Sequence, residues 1–359
     1  MNNLKEKIIH RIKQETNEFI PFDVFMEMAL YEPELGYYAK EKEKVGRKGD
    51  FITTPFLSDV FAEVFCDYCS DDFTENSWNY FCEIGAGTGK FLQAWSTYME
   101  QKYPGIHNDI MYRVVEKSKY HQQLIKAIPA SVEIVDDITS LKPMKGIVFA
   151  NEWLDALPVK VVTKLHGHMY EVCVGEENGQ IVERMRLINE EPLIKFIQRY
   201  QITPREGHRI EVPYLLPDIF SALSHNLILG KLILVDYMYS LEDWQQPELR
   251  EGSIRGYQNH QLKRNVLTNP GEMDITYHIP IEPLIKIAKE QGFTLMESER
   301  QDQFLMKHGI LNKLQDHTQL DPFHPTVKRN RAIQSLISPS GMSAYFRVLV
   351  FEKEKRASF

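Results

Sequence analysis

The run Glu83-Ile84-Gly85-Ala86-Gly87-Thr88-Gly89 carries the strongest chemical signal in the sequence. It follows a short apolar segment, Tyr80 to Ile84, and precedes a helical pattern from Phe91 to Met99. Glycines at alternate positions let the backbone bend sharply and let a ligand lie against it without interference from a Cβ. The helix that follows turns its free N–H groups toward that ligand. Strand, glycine turn and helix in this order describe a nucleotide-type pocket, although a purely structural turn has the same outline. Spacing narrows the nucleotide. A dinucleotide fingerprint needs G-x-G-x-x-G, and Lys90 stands at its third glycine position. No Gly-Lys-Ser/Thr ends the run, so it is not a P-loop. The pattern is E-x-G-x-G-x-G.

Further acids follow at the ends of later apolar segments, where ligands of open α/β sheets sit. Glu116 closes Tyr112-Arg113-Val114-Val115-Glu116, a position from which a carboxylate can accept both hydroxyl hydrogen bonds of a ribose. Asp136 and Asp137 close the next segment, and the sequence does not choose between them. A fourth segment delivers Phe149-Ala150-Asn151-Glu152-Trp153-Leu154-Asp155-Ala156-Leu157-Pro158. Two carboxylates and an amide beside an aromatic suit a site that holds a cationic or N–H-bearing acceptor, with Asn151, Glu152 and Asp155 as the candidate catalytic residues. Asp155 could equally cap a helix beginning at Ala156.

These residues need a scaffold of alternating strands and helices. Short apolar runs at Tyr80 to Ile84, Met111 to Glu116, Val132 to Val135, Gly146 to Asn151 and Lys231 to Tyr237 predict a parallel sheet. Two late runs, Phe293 to Glu299 and Ala344 to Phe351, predict an antiparallel edge. Helical spacing over residues 4 to 31, broken at Pro21, and again from Ser58 to Tyr68, predicts a helical N-terminal segment. Alternation from Val159 to Arg186, with a turn at Glu177-Asn178-Gly179, predicts a hairpin or meander inserted in the core. The expected organisation is an N-terminal helical cap and covering loop over 1–75, then a Rossmann-like α/β core over 76–359 with insertions at about 159–210 and 240–280.

Forty-two basic residues against 50 acidic ones, a formal charge of −8, give no overall footprint for nucleic acid. No apolar run approaches the ~20 residues needed to cross a bilayer, so membrane insertion is not expected. Cys66, Cys69, Cys82 and Cys173 are too few and too scattered for a disulfide scaffold. Cys66 and Cys69 have the spacing of half a zinc site, but no second pair completes it, and their neighbours follow helical spacing. No leader pattern opens the chain, so the expected location is cytoplasmic, with no metal and with a homo-oligomer left open.

The glycine run resembles motif I of class I S-adenosylmethionine-dependent methyltransferases, whose leading acid contacts the methionine end of the cofactor; the same resemblance puts an acid such as Asp136 or Asp137 on the adenine amino group. A narrower resemblance covers most of the chain. Tyr31-Glu32-Pro33-Glu34-Leu35-Gly36-Tyr37-Tyr38, Gly49-Asp50-Phe51-Ile52-Thr53-Thr54-Pro55, the glycine turn and Ala150 to Pro158 are similar to the MidA family. So are Asp236-Tyr237, Gly252-Ser253-Ile254-Arg255-Gly256-Tyr257, Asp274-Ile275-Thr276-Tyr277-His278 and Gln303-Phe304-Leu305. The mitochondrial branch of that family is regarded as a protein-arginine methyltransferase acting in respiratory complex I assembly.

The resemblance implies S-adenosylmethionine as cofactor and a protein as methyl acceptor. It assigns Glu83, Gly85, Gly87, Gly89, Glu116, Asp136, Asp137, Asp50 and Thr53 to the cofactor, and Tyr237, Arg255, Tyr257 and His278 to the substrate; read from the residues alone, Asp50 could equally bond its own backbone in a turn, and Gly252 and Gly256 could simply shape a surface loop around Arg255 and Tyr257. His278 is a candidate general base near neutral pH or a structural histidine. The chain departs from the family's E-L-G-P-G-R-G at Ala86 and Thr88, and from its Asp-Tyr-Gly at Met238. The competing function is an assembly protein that binds the cofactor without turnover. A nicotinamide oxidoreductase is disfavoured by Lys90.

Overall fold

In the computed structural model, residues 3–41, 59–128, 130–316, 318, 321–338 and 345–354 are described. The chain forms two compact units, each assembled from segments distant in sequence. Residues 52–153, 221–236 and 292–359 make the core unit, and residues 1–51, 154–220 and 237–291 the second unit.

Among the described residues the continuous path of the core sheet has seven strands: β1 (Tyr80–Ile84), β2 (Met111–Val115), β3 (Val132–Val135), β4 (Met144–Asn151), β5 (Leu227–Tyr239), β6 (Thr294–Arg300) and β7 (Phe346–Lys353), and the short strand Ile279–Pro280 pairs with the end of β5 as an eighth. Their spatial order is β6-β7-β5-β4-β1-β2-β3. Strands β1 to β5 run parallel, with Cys82 beside both Arg113 and Val148, Val114 beside Ile134, and Phe149 beside Ile233. Strands β6 and β7 pair antiparallel, which is the edge expected from the two late apolar runs. The chain walks outward from β1 to β3 and then returns to the other side of β1 as β4. That reversal leaves a crevice beyond the carboxyl ends of β1 and β4, the usual ligand position in such sheets.

Helices α1 (Val60–Glu75), α2 (Lys90–Lys102) and α3 (Lys119–Ile125) belong to this unit. Phe91, Leu92, Trp95 and Met99 recur at helical spacing and are buried. Phe91 stacks on Phe149 of β4 and Trp95 on Phe81 of β1, each with ring centroids 4.1 Å apart. Full burial of each such ring contributes about 1.5–3 kcal/mol, so α2 is fixed to the two strands that flank the crevice. Helix α1 joins the same cluster through Phe61 and Phe65. It therefore belongs with the core unit, whereas the sequence grouped residues up to 75 with the N-terminal cap. Cys66 and Cys69 are buried on α1, where burial pushes both thiols up. Among the described residues no cluster of His, Cys, Asp and Glu could hold a metal ion.

The second unit is built on an antiparallel sheet. His168–Glu177 is its central strand, flanked by Lys160–Leu165 and Phe19–Pro21 on one side and Gln180–Leu187 on the other, and Arg209–Val212 pairs with Lys160–Leu165. The hairpin expected at residues 177–179 is present: Asn178 and Gly179 both take positive φ, 51° and 74°, as a two-residue turn of matching twist requires. The segment read as loop from 240 to 279 contains a small sheet of Gln261–Lys263, Arg255–Gln258 and Asp274–Thr276. Its strands are three or four residues long, too short for alternation to register in the sequence.

Candidate functional site

The glycine turn adopts left-handed backbone at all three glycines, with φ of +68° at Gly85, +54° at Gly87 and +75° at Gly89. Their roles differ. A Cβ on Gly85 would meet Trp153 Cδ1 at 3.1 Å, and one on Gly89 would meet Ile128 Cδ1 at 2.6 Å. Those two glycines permit packing. A Cβ on Gly87 would meet no atom within 4 Å, so Gly87 borders open space at the tip of the turn. Gly89 also starts α2, whose first residue is Lys90.

Two buried carboxylates flank the turn. Glu83, at 4% exposure, accepts the N–H of Leu92 while its Oε2 has no hydrogen-bond partner. Burial first, and then the nearby charge of Glu116, holds its carboxyl well above the usual range. Glu116 accepts Gly87 N–H on one oxygen at 2.9 Å and Ser118 N–H on the other at 2.8 Å. The carboxylate expected to meet a ribose thus also ties the glycine turn to the end of β2. Each oxygen keeps a second lone pair for a further donor.

Asp136 and Asp137, which the sequence left undivided, have distinct surroundings. Asp136 binds Lys119 Nζ and Gln122 Nε2, both at 2.6 Å, and these two, Lys119 first, hold it below the usual carboxylate range. Gln122 Nε2 also donates to the Glu116 carbonyl at 2.6 Å. Asp137 caps the turn Ile138–Ser140, accepting both the N–H and the hydroxyl of Thr139.

At the end of β4, Glu152 takes a left-handed φ of 50°, a conformation that costs a residue other than glycine about 1–3 kcal/mol. Its N–H donates to Val235 O at 2.9 Å and its Oε1 accepts Asn151 Nδ2 at 3.1 Å. Asn151 Oδ1 is buried with no hydrogen-bond partner. Asp236 Oδ2 accepts Trp153 N–H at 3.1 Å, which directs the Trp153 ring onto Gly85. The core unit therefore gathers Glu83, the three glycines, Glu116, Asp136, Asn151 and Glu152 at the carboxyl ends of neighbouring strands. Asp236, a buried acid in β5, was missed as a site residue although it stands in the matched Asp-Tyr pair.

The remaining candidates lie in the second unit. Asp155 is buried in the short turn Leu154–Ala156, and no α-helix begins at Ala156, so it is not the helix cap considered from sequence. His278 stacks face to face on Tyr239, centroids 4.0 Å apart, with Tyr237 at 5.3 Å. Burial, then the charge of Arg255, pushes its pKa well below 6.5. The expectation of a base titrating near neutral pH is corrected accordingly: His278 is neutral there and a weak base. The backbone N–H of His278 donates to Ser253 Oγ at 2.9 Å. Buried Glu211 accepts Ser253 N–H, Ile254 N–H, Trp244 Nε1–H and the Ser253 hydroxyl. Arg255 and Tyr257 lie on the strand that leaves this loop. Tyr38 donates to Asp274 at 2.8 Å. Glu211 and Asp274 were also missed. Asp274 stands in a matched motif, while no sequence signal marks Glu211. Asp50 and Thr53 lie outside the described residues.

Residues 70–298 match the model of a family described as "Putative S-adenosyl-L-methionine-dependent methyltransferase". The chain belongs to this family. As a member it is an S-adenosyl-L-methionine-dependent methyltransferase, in line with the MidA resemblance. The open acceptor on buried Glu83 and the unobstructed tip at Gly87 fit that cofactor, which carries an ammonium donor and needs close backbone approach. Among similar proteins, the rat "Protein arginine methyltransferase NDUFAF7, mitochondrial" is 27% identical over 80% of this chain and 70% of its own length. The human protein of that name is 25% identical over 92% of this chain and 80% of its own length. A crystal structure of a Burkholderia thailandensis protein bound to S-adenosyl-homocysteine superposes with a TM-score of 0.85 at 24% identity, covering 99% of this chain and 94% of that one. That likeness establishes the methyltransferase fold. The cytoplasmic expectation is corrected: these relatives are named as mitochondrial, which conflicts with it.

Proposed function

We propose that this methyltransferase methylates a guanidinium nitrogen of arginine in a protein partner. One observation carries the reading: Asn151 Oδ1 and the Glu152 carboxylate, adjacent at the end of β4, present acceptors, and the buried Oδ1 lacks a donor. A guanidinium is all donors. The names of the rat and human relatives support the same acceptor.

Glu83 would hold the methionine ammonium of the cofactor, Gly87 would allow its close backbone approach with Gly85 and Gly89 shaping the turn around it, Glu116 would hold the ribose hydroxyls, and Asp136 or Asp137 the adenine amino group. Asp50 and Thr53 are proposed for the methionine end. Bound S-adenosylmethionine supplies an electrophilic methyl group on a sulfonium with a neutral thioether as leaving group. The chain's own work is alignment and proton handling. A guanidinium has a pKa above about 12, so its attacking nitrogen needs a carboxylate that localises the positive charge and accepts a proton as the new bond forms. Glu152 takes that part, held by Asn151. Asp155 is the second acid proposed for the acceptor, with Tyr237, Arg255, Tyr257 and neutral His278 as its binding surface.

The test is methyl transfer from tritiated S-adenosylmethionine into a lysate of cells lacking this protein, followed by hydrolysis and separation of the labelled amino acids. Label in methylarginine, lost with Glu152→Gln, is the expected result. Label confined to another amino acid would overturn the acceptor, and no label despite cofactor binding would favour the assembly protein.

A further inference from the structure

Arg255 is a half-buried cation without a counter-ion among the described residues. Its guanidinium carbon lies 5.2 Å from the Tyr237 ring centroid and 5.7 Å from that of Tyr257. Its Nη2 is 3.5 Å from His278 Nε2, and its Nε is buried with no hydrogen-bond partner. Directly across the strand pair, Thr276 Oγ1 is buried and also without a partner. The neighbouring histidine adds no negative charge. Four other arginines with restricted exposure are treated differently: Arg113 meets Glu133, Arg209 meets Glu183, Arg300 meets Asp302, and Arg329 grips both oxygens of Glu63. A shielded guanidinium with spare donors, held by two tyrosine rings, matches the planar fork that binds a carboxylate. Both rings lie within cation–π range of the guanidinium, and that contact compensates part of its lost hydration.

We propose that Arg255, with Tyr237, Tyr257 and Thr276 around it, is a carboxylate-binding site. The carboxylate belongs to an acidic side chain of the methyl acceptor, a source that rests on the protein-acceptor function proposed above; the site itself does not. The fork would take both oxygens, and the Thr276 hydroxyl would donate to one of them.

The experiment follows the Arg255 Nε–Hε resonance in the full-length ¹⁵N-labelled protein, assigned by its loss in Arg255→Lys. Three probes are titrated: N-acetyl-aspartate N-methylamide, its asparagine counterpart, and S-adenosylhomocysteine. A shift with the aspartate probe and not the asparagine probe supports the site and names the acceptor as the source. No shift with the aspartate probe, equal shifts with aspartate and asparagine, or a shift confined to S-adenosylhomocysteine overturns it. In calorimetry, Arg255→Gln should weaken the ligand so identified about tenfold to a hundredfold, with Arg255→Lys between; unchanged affinity in both variants overturns the proposal. Only the conservative Arg255→Lys, used for the assignment, has to fold for the wild-type titration to be read. Methyl transfer can fail while the resonance still shifts, so the two readings fail separately.

Discussion

Glu116 accepts the backbone N–H of Gly87 at 2.9 Å with one carboxylate oxygen and that of Ser118 at 2.8 Å with the other. One side chain thus closes the glycine turn against the start of the β2–α3 connection. Glu116→Gln can satisfy only one of these donors, and leaving the other buried costs about 1–3 kcal/mol. Chemical denaturation should show that loss before any ligand is added. A stability equal to wild type would mean the turn is held by other contacts.

Gly87 and Gly89 separate binding from folding. Alanine at 89 must take a left-handed φ and push its Cβ toward Ile128 and Ile125, so Gly89→Ala is expected to lose about 2–4 kcal/mol from strain and overpacking. Alanine at 87 meets no neighbour and should lose only about 1–2 kcal/mol, but its methyl group enters the space assigned to the cofactor. Calorimetry with S-adenosylhomocysteine should find binding abolished in Gly87→Ala at temperatures where the variant stays folded. Tight binding there would place the cofactor elsewhere.

Glu83, proposed to hold the ammonium of the cofactor, is expected to couple cofactor binding to a proton. Its carboxyl is raised by burial and by Glu116, which favours the protonated form, whereas an arriving ammonium favours the carboxylate. Affinity should therefore rise with pH through the raised pKa, with a proton released on binding. Titrations in buffers of different ionisation heat would count that proton, and Glu83→Gln should abolish the buffer dependence. The stability sign is the usual one for a raised pKa: the contribution is complete below the unfolded value and disappears as pH rises through the folded one.

His278 gives the opposite slope. Its folded pKa lies well below 6.5, so on acidification the unfolded chain gains a proton that the folded chain refuses. The stability present above pH 6.5 is lost as pH falls toward the folded pKa. Between neutral and mildly acidic pH, His278→Phe, which preserves the stack on Tyr239, should show a shallower decline in unfolding free energy than wild type. Identical slopes would assign the acid sensitivity to other groups.

Much of the core unit was legible because its strands read as short, mainly apolar runs: Tyr80–Ile84, buried beyond its first residue, and Val132–Val135, a more exposed strand, both match the expected bounds. The glycine turn was legible for a steric reason, since only glycine accepts three nearby positive φ values cheaply. Where the sequence failed, the cause was distance. Glu211 is one acid among many until folding sets Ser253, Ile254 and Trp244 around it. Whether Asp136 or Asp137 caps the following turn depends on which carboxylate reaches Thr139. The environment of His278 is made by Arg255 and Tyr239, from strands not adjacent in sequence. Likewise α1 has a helical signal but nothing in its own residues says which unit its phenylalanines will join.

Glu152 holds a left-handed conformation that glycine would adopt without strain. A library selected for heat resistance should therefore enrich Glu152→Gly, while one selected for methyl transfer should discard it. Disagreement between two such selections at a single codon would report where this enzyme keeps an acid against the preference of its own backbone.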